Sequence, residues 1–324
     1  MLANYVGGSI NLVALLLYAY FCPAIIAFCR GHHRFWLILL ANVLILPVQV
    51  SLAWRFFPGW LQFAGMGPLN ALAMVAAIYL GPGWLAVMAW ASATPAKPKA
   101  WMLAAHESKY FDLFMALPLI LWFGTGALAL RPTLVEEGND ILAGTATAFI
   151  YLRFFALAAA AGFNLLLVYL LVVRDKPVKR SNGLAPRFFG FAGTFLGVAI
   201  LHLPVASLSF PMQALAAALV GIGSLGSLLV LARLGKAFSI MPEARRLVTG
   251  GPYSYARHPL YAVEAFTLIG TAIQFAQPWA GVLAAAVIVL QVTRSLHEER
   301  VLVAAYPEYV AYRARTKRFI PGII

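Results

Sequence analysis

The sequence predicts an all-α integral membrane protein, a polytopic bundle of about nine transmembrane helices. Three observations carry this reading. Apolar residues make up 62% of the chain and charged residues 11%, whereas soluble domains carry about 25% charged residues. The apolar runs are long and continuous, and a hydrocarbon core about 30 Å thick takes roughly 20 such residues per helix. Finally, the basic residues fall into alternate breaks between the runs, as the positive-inside rule requires. Unpaired backbone groups are too costly in lipid for an open sheet, and runs of this length are too long for barrel strands.

The spans fall at about 7–29, 35–54, 66–93, 113–130, 142–173, 188–209, 211–232, 259–276 and 279–296. Most Arg and Lys lie in the breaks after the first, third, fifth and seventh spans and in the tail after the ninth. The opposite side carries only Arg55 and Arg131, together with an acidic loop of Glu136, Glu137 and Asp140. The expected topology therefore places the N-terminus outside and the C-terminus in the cytoplasm, in a bacterial cytoplasmic membrane. A net charge of +13 would suggest nucleic acid in a soluble protein. Here the charges anchor loops to anionic lipid, so membrane lipids are the expected partners and nucleic acid is not.

Two organisational units are expected, an N-terminal scaffold over 1–173 and a core over 188–324. Cys22 and Cys29, both in the first span, have no metal-type spacing and read as small apolar packing residues. Gly81-Pro82-Gly83 interrupts the third span. Arg153 lies inside the fifth span, where a charge is a functional candidate unless it snorkels to the surface. The stretch RDKPVKRSNGLAPR then reads as a linker to the core. His202 in the sixth span is either a helix-to-helix hydrogen-bonding residue or a group in contact with substrate, as Arg153 is. The seventh span contains Gly221-Ile222-Gly223-Ser224-Leu225-Gly226, a formal GxGxxG. No strand precedes it, so it reads as small residues that let helices approach closely.

The chemistry concentrates in Leu247–Glu264, LVTGGPYSYARHPLYAVE, and His297–Pro321, HEERVLVAAYPEYVAYRARTKRFIP. Gly250 and Gly251 allow turn geometries closed to other residues. Pro259 suits a first helical turn, which sets Arg257 and His258 at a helix N-terminus, where free backbone donors and the dipole favour an anion. The last two spans form a hairpin around Gln277-Pro278 that returns Glu298 and Glu299 to the level of Arg257 and His258. Tyr253, Tyr255, Tyr261, Tyr306, Tyr309 and Tyr312 add flat surfaces for a purine or a sulfonium.

RHPLY followed by an apolar hairpin, EE and YPEYVAY resembles the isoprenylcysteine carboxyl methyltransferase and phospholipid methyltransferase superfamily over about residues 235–324. The resemblance implies S-adenosylmethionine as methyl donor, bound at the cytoplasmic face, and a lipophilic acceptor arriving from the bilayer. Matched residue by residue, it implies cofactor binding by Leu247, Val248, Gly251, Tyr253, Arg257, His258, Tyr261, Glu298 and Glu299. Arg257 and Glu264 are the catalytic candidates, Glu264 being a base for an amine, hydroxyl or thiol acceptor or else an interhelical hydrogen-bonding residue. Arg246 and Ala262-Val263-Glu264 depart from the eukaryotic prenylcysteine enzymes, which weakens a prenylcysteine as acceptor. Two alternatives stay open: an NADPH-dependent reductase of the sterol type, with Arg245 and Arg246 for a 2′-phosphate, and a non-catalytic membrane partner. A second resemblance, over about 18–93, is to the superinfection immunity protein family, two-span membrane proteins.

Overall fold

The computed structural model describes residues 36–45, 87, 108–181 and 184–322. It divides into two compact units, one within 9–118 and the other containing Leu119–Ile324. In the first, Trp36–Ile45 is a short apolar helix. The spans expected at 7–29 and 66–93, most of that at 35–54, both cysteines and the Gly-Pro-Gly interruption lie outside the described residues.

Helix α1 (Lys109–Ala129) is followed at once by α2 (Arg131–Leu142). This second helix corrects the expected acidic loop: with Pro132 in its first turn and its acidic side chains on more than one face, the segment winds as a helix and buries Glu137. Helix α3 (Ala148–Val173) begins later than the expected span, because Thr147 caps it by accepting a hydrogen bond from the Ile150 backbone N–H at 3.4 Å. The supposed linker is bound into the fold. Within it β1 (Lys179–Arg180) pairs antiparallel with β2 (Glu243–Ala244), Lys179 opposite Ala244 and Arg180 opposite Glu243.

The sixth span is helical only in part. Helix α4 (Leu184–Phe195) tightens into a 3-10 segment, Leu196–His202, and the chain then runs extended to Ser209. Val205 bridges Phe275, while Ala206 and Ala276 donate backbone bonds to Gln274 and Pro204. An apolar cluster of Ile200, Ala272, Phe275, Ala280 and Ala284 seals that end.

Helix α5 (Phe210–Leu234) packs on α3 along one side and on α6 (Pro259–Ile273) along the other. The small residues of the GxGxxG stretch make the α6 contact. A Cβ on Gly223 would come within 2.9 Å of the Val263 carbonyl, and one on Gly226 within 3.0 Å of the Val263 side chain. Gly270 of α6 does the reverse, lying so close to α5 that a Cβ would meet the Ala216 carbonyl at 2.7 Å. Helix α7 (Trp279–Ala305) packs on α4 and α6, and its 27 residues carry it about 40 Å, beyond a hydrocarbon core of about 30 Å. A short helix, α8 (Tyr309–Arg315), follows. By length and composition α3, α5 and α7 can each cross a membrane, with α6 and the α4 segment shorter apolar helices beside them. This is an all-α membrane architecture.

Candidate functional site

The site begins where α5 ends. Gly251 has φ +65°, and a Cβ there would strike the Arg233 side chain, so the chain turns tightly back over α5. A 3-10 turn, Gly251–Ser254, is closed by the Ser254 hydroxyl donating to the Gly251 carbonyl at 2.7 Å. The next residues are strapped by the C-terminal segment: the backbone N–H groups of Arg257 and His258 donate to the carbonyls of Lys317 and Arg318, each at 2.8 Å. His258 is the N-cap of α6 with Pro259 behind it, at φ −128° and ψ 58°. It leaves the helical region as the proline dictates without reaching a fully extended strand.

Helix α7 brings the two carboxylates to this point and gives them different surroundings. Glu299, 4% exposed, faces Arg257 Nε at 3.1 Å, His258 Nε2 at 3.2 Å and Arg318 at 2.9 and 3.3 Å. Glu298 accepts from the Tyr261 hydroxyl at 2.6 Å and from Arg294 Nε at 2.9 Å, with His258 Nδ1 at 3.6 Å. The imidazole sits between the two glutamates and stacks on Tyr261, 5.5 Å away and nearly parallel.

Arg294 was missed by sequence reasoning. It is buried on α7, donates to the Thr194 hydroxyl of α4 at 3.2 Å and to the Ser239 carbonyl at 3.3 Å, and lies 5.3 Å over the Tyr261 ring. The rule that singled out Arg153, a charge inside an apolar run, applies equally to Arg294. Its other partners are far away in sequence, which hid the cluster.

Arg257, His258, Tyr261, Arg294 and Glu298 line one cavity of about 450 Å³, within the range of about 300–1,000 Å³ usual for small-molecule sites. At the end carrying the basic segments its walls are Leu247, Val248, Tyr253, Arg257, His258, Tyr261 and Glu298, with Tyr309 and Tyr312 of α8. Further along α6 and α7 they include Glu264 and Gln291, with apolar side chains of α3 and α4 opposite. Burial pushes the phenols of Tyr253 and Tyr309 up and that of Tyr312 up to about 12, so all three are neutral donors at physiological pH. The Tyr312 hydroxyl donates to the Tyr253 carbonyl. The Arg318 guanidinium is held above its ordinary value by its hydrogen bond to Glu299.

The structure thus brings together Leu247, Val248, Tyr253, Arg257, His258, Tyr261, Glu264 and Glu298. Gly251 shapes the turn and Glu299 braces Arg257 from behind, neither of them lining the cavity. Arg153 lies elsewhere, on α3, ion-paired through Nε with Glu137 of α2. His202 ends the 3-10 segment, and its side chain lies outside what is described. Tyr255 is 70% exposed. Arg245 is held by Glu243 at 2.7 Å and by the Asp175 carbonyl, within the fold. Among the described residues no three His, Cys, Asp or Glu side chains gather as a metal-binding group.

Residues 211–309 match the family model described as phospholipid methyltransferase. The match runs from the start of α5 to the start of α8 and supports the resemblance carried by RHPLY and the paired glutamates. The chain is 37% identical over 108 residues to the cobalt-zinc-cadmium resistance protein CzcN of Cupriavidus metallidurans, an alignment covering 32% of this chain and 50% of that protein. It is 34% identical over 112 residues to the nickel-cobalt-cadmium resistance protein NccN of Alcaligenes xylosoxydans xylosoxydans, covering 34% and 53%. The chain spans about half the length of these curated relatives.

Proposed function

We propose that the core built from α4 to α8 is an S-adenosylmethionine-dependent methyltransferase that acts on a lipophilic acceptor at the cytoplasmic face of a bacterial cytoplasmic membrane. One observation carries the reading: cations and a carboxylate converge at one end of a cavity whose far end lies among apolar, membrane-length helices. A donor that is ionic and an acceptor that is greasy need such a two-ended space.

The donor set fits the cofactor. Arg257 and His258, at the N-terminus of α6, suit a carboxylate. Glu298, the glutamate facing the cavity, suits ribose hydroxyls or an ammonium. The buried hydroxyl of Tyr309 has no hydrogen-bond partner among the described residues and lines the same end, leaving a donor for a bound polar group. Tyr253 and Tyr261 offer faces to a purine or a sulfonium. When bound, S-adenosylmethionine supplies an electrophilic methyl group.

The rest is done by the protein's side chains. Direct displacement needs alignment and a dry site more than acid–base help. Glu299, held by Arg257, His258 and Arg318, fixes the Arg257 and His258 side chains. Arg294 and Tyr261 fix Glu298 in the same way. The helices α3 to α7 exclude water from the acceptor end.

Calorimetry of the full chain in nanodiscs, with S-adenosylmethionine and with NADPH, tests the reading. Binding of the sulfonium donor is expected, weakened by about 2 kcal/mol or more in Glu298→Ala, as for loss of a buried charged hydrogen-bonding partner. Binding of NADPH alone would establish the reductase instead, and binding of neither would leave a non-catalytic membrane protein.

A further inference from the structure

A second hollow, of about 300 Å³, shares no lining residue with the cavity. Its walls are Leu296, Glu299, Arg300 and Val303 of α7, Arg313 of α8 and Arg318 of the C-terminal strap. The α7 residues follow one another at steps of three, one and three, which is one face of a helix. Guanidiniums from three elements therefore meet around a single carboxylate. That carboxylate is already matched, because Glu299 is ion-paired with Arg257, His258 and Arg318. Arg300 and Arg313 are exposed, and among the described residues neither has a carboxylate within ion-pair distance. The hollow carries a net positive charge.

It also sits where an apolar stripe ends. Val282, Val289, Val292 and Leu296 are all exposed, and steps of seven, three and four residues place them on one face of α7. On a helix of membrane length such a face meets acyl chains. Arg300 and Val303 continue the stripe, four and seven residues beyond Leu296. Counted from Trp279 at the far end of α7, a hydrocarbon core of about 30 Å is crossed in about 20 residues. The crossing ends close to Glu298, so Arg300 stands at headgroup depth.

We infer that this hollow binds the phosphate of an anionic phospholipid whose acyl chain lies along the α7 stripe, a bound lipid distinct from any methyl acceptor in the cavity. Guanidinium forks present paired donors to phosphate oxygens, and two arginines without carboxylate partners complement a phosphodiester anion. A soluble phosphate would satisfy the arginines and leave the stripe unused. The lipid engages both. Its head also joins α7 to the segments that fix the start of α6, since Arg257 Nη1 donates to the Arg313 carbonyl at 2.9 Å and the His258 backbone N–H donates to the Arg318 carbonyl. None of this depends on the methyltransferase reading.

Native mass spectrometry of the full chain in detergent tests the site, with phosphatidylglycerol and phosphatidylcholine of the same acyl chains titrated in turn. The variants are the double change Arg300→Gln with Arg313→Gln, and a charge-matched control, Lys176→Gln with Lys236→Gln, at exposed lysines outside the hollow. Phosphatidylglycerol is expected to bind the wild type at least about tenfold more tightly than phosphatidylcholine, because each basic residue at an anionic lipid surface contributes about fivefold. The arginine variant should bring the two lipids within about twofold of one another, while the lysine control keeps a preference of at least about fivefold. No preference in the wild type, a preference that survives loss of both arginines, or an equal loss in the lysine control overturns the inference. Displacement of the bound lipid by equimolar glycerol 3-phosphate also overturns it, by showing a site for soluble phosphate.

Discussion

Among the described residues, Arg153 and Arg294 both interrupt apolar helices, and each is paired with a glutamate. Arg153 of α3 meets Glu137 of α2, with the guanidinium one-third exposed and the carboxylate buried. Arg294 of α7 meets Glu298 one turn along its own helix, and both line the cavity. The first pair joins neighbouring helices and balances charge locally. The second is held by α4, by the segment after α5 and by Tyr261, so its carboxylate is presented in a fixed direction. A charge in an apolar run is costly in both places, and only the surroundings separate a brace from a binding group.

Removing the guanidiniums tests that difference. Arg294→Ala should cost about 3–5 kcal/mol, the usual penalty when one partner of a buried pair is left alone, read as a drop in thermal unfolding temperature in nanodiscs. Donor binding should be abolished with it. Arg294→Lys should recover part of the stability and little of the binding, because a point charge cannot reproduce a guanidinium that serves Glu298, Thr194 and Ser239 at once. Equal recovery of both would reduce Arg294 to a brace like Arg153. Arg153→Ala should cost less, about 1–3 kcal/mol for a buried carboxylate left under-satisfied, with donor affinity unchanged; a loss of affinity would erase the contrast between the pairs.

The smallest effect concerns the α8 wall. Tyr312→Phe removes the donor to the Tyr253 carbonyl and should cost about 1 kcal/mol. Its folded-state value of about 12 lies above the ordinary tyrosine value of about 10. The contribution is therefore complete below pH about 10 and is lost as the pH rises through the folded value. An unfolding profile that is flat from neutral pH to the ordinary tyrosine value and falls above it, less steeply in Y312F, is the expected outcome.

Much of the site was legible because its residues cluster in two short stretches. Arg257, His258 and Tyr261 are spaced by the first turn of α6, and Glu298 follows an apolar hairpin whose length sets its return. Glu299 was legible as a residue, but its placement against Arg257, His258 and Arg318 and off the cavity wall depends on the strap of Lys317 and Arg318 over the start of α6, which no local pattern announces. The helical acidic segment at Arg131–Leu142 escaped because its apolar period is poor, its burial coming from the single pairing of Glu137 with Arg153. The sixth span was drawn as one helix because hydropathy does not separate an apolar helix from an apolar strand-like run, and the chain after His202 pairs with residues 274–276 instead.

By itself, the sequence determined the membrane-spanning character of this protein, the small-residue contact between α5 and α6, and the two stretches that carry the chemistry. Composition, period and local turn geometry act within a few residues of one another. Only the tertiary structure decided that Glu298 faces the cavity while Glu299 braces its wall, that Arg294 lines the cavity and Arg153 does not, and that Glu264 stands opposite Gln291. Those outcomes depend on which side chains arrive from other helices. In a low-dielectric interior, the partners that surround a charge, more than its place in the chain, set what it can do.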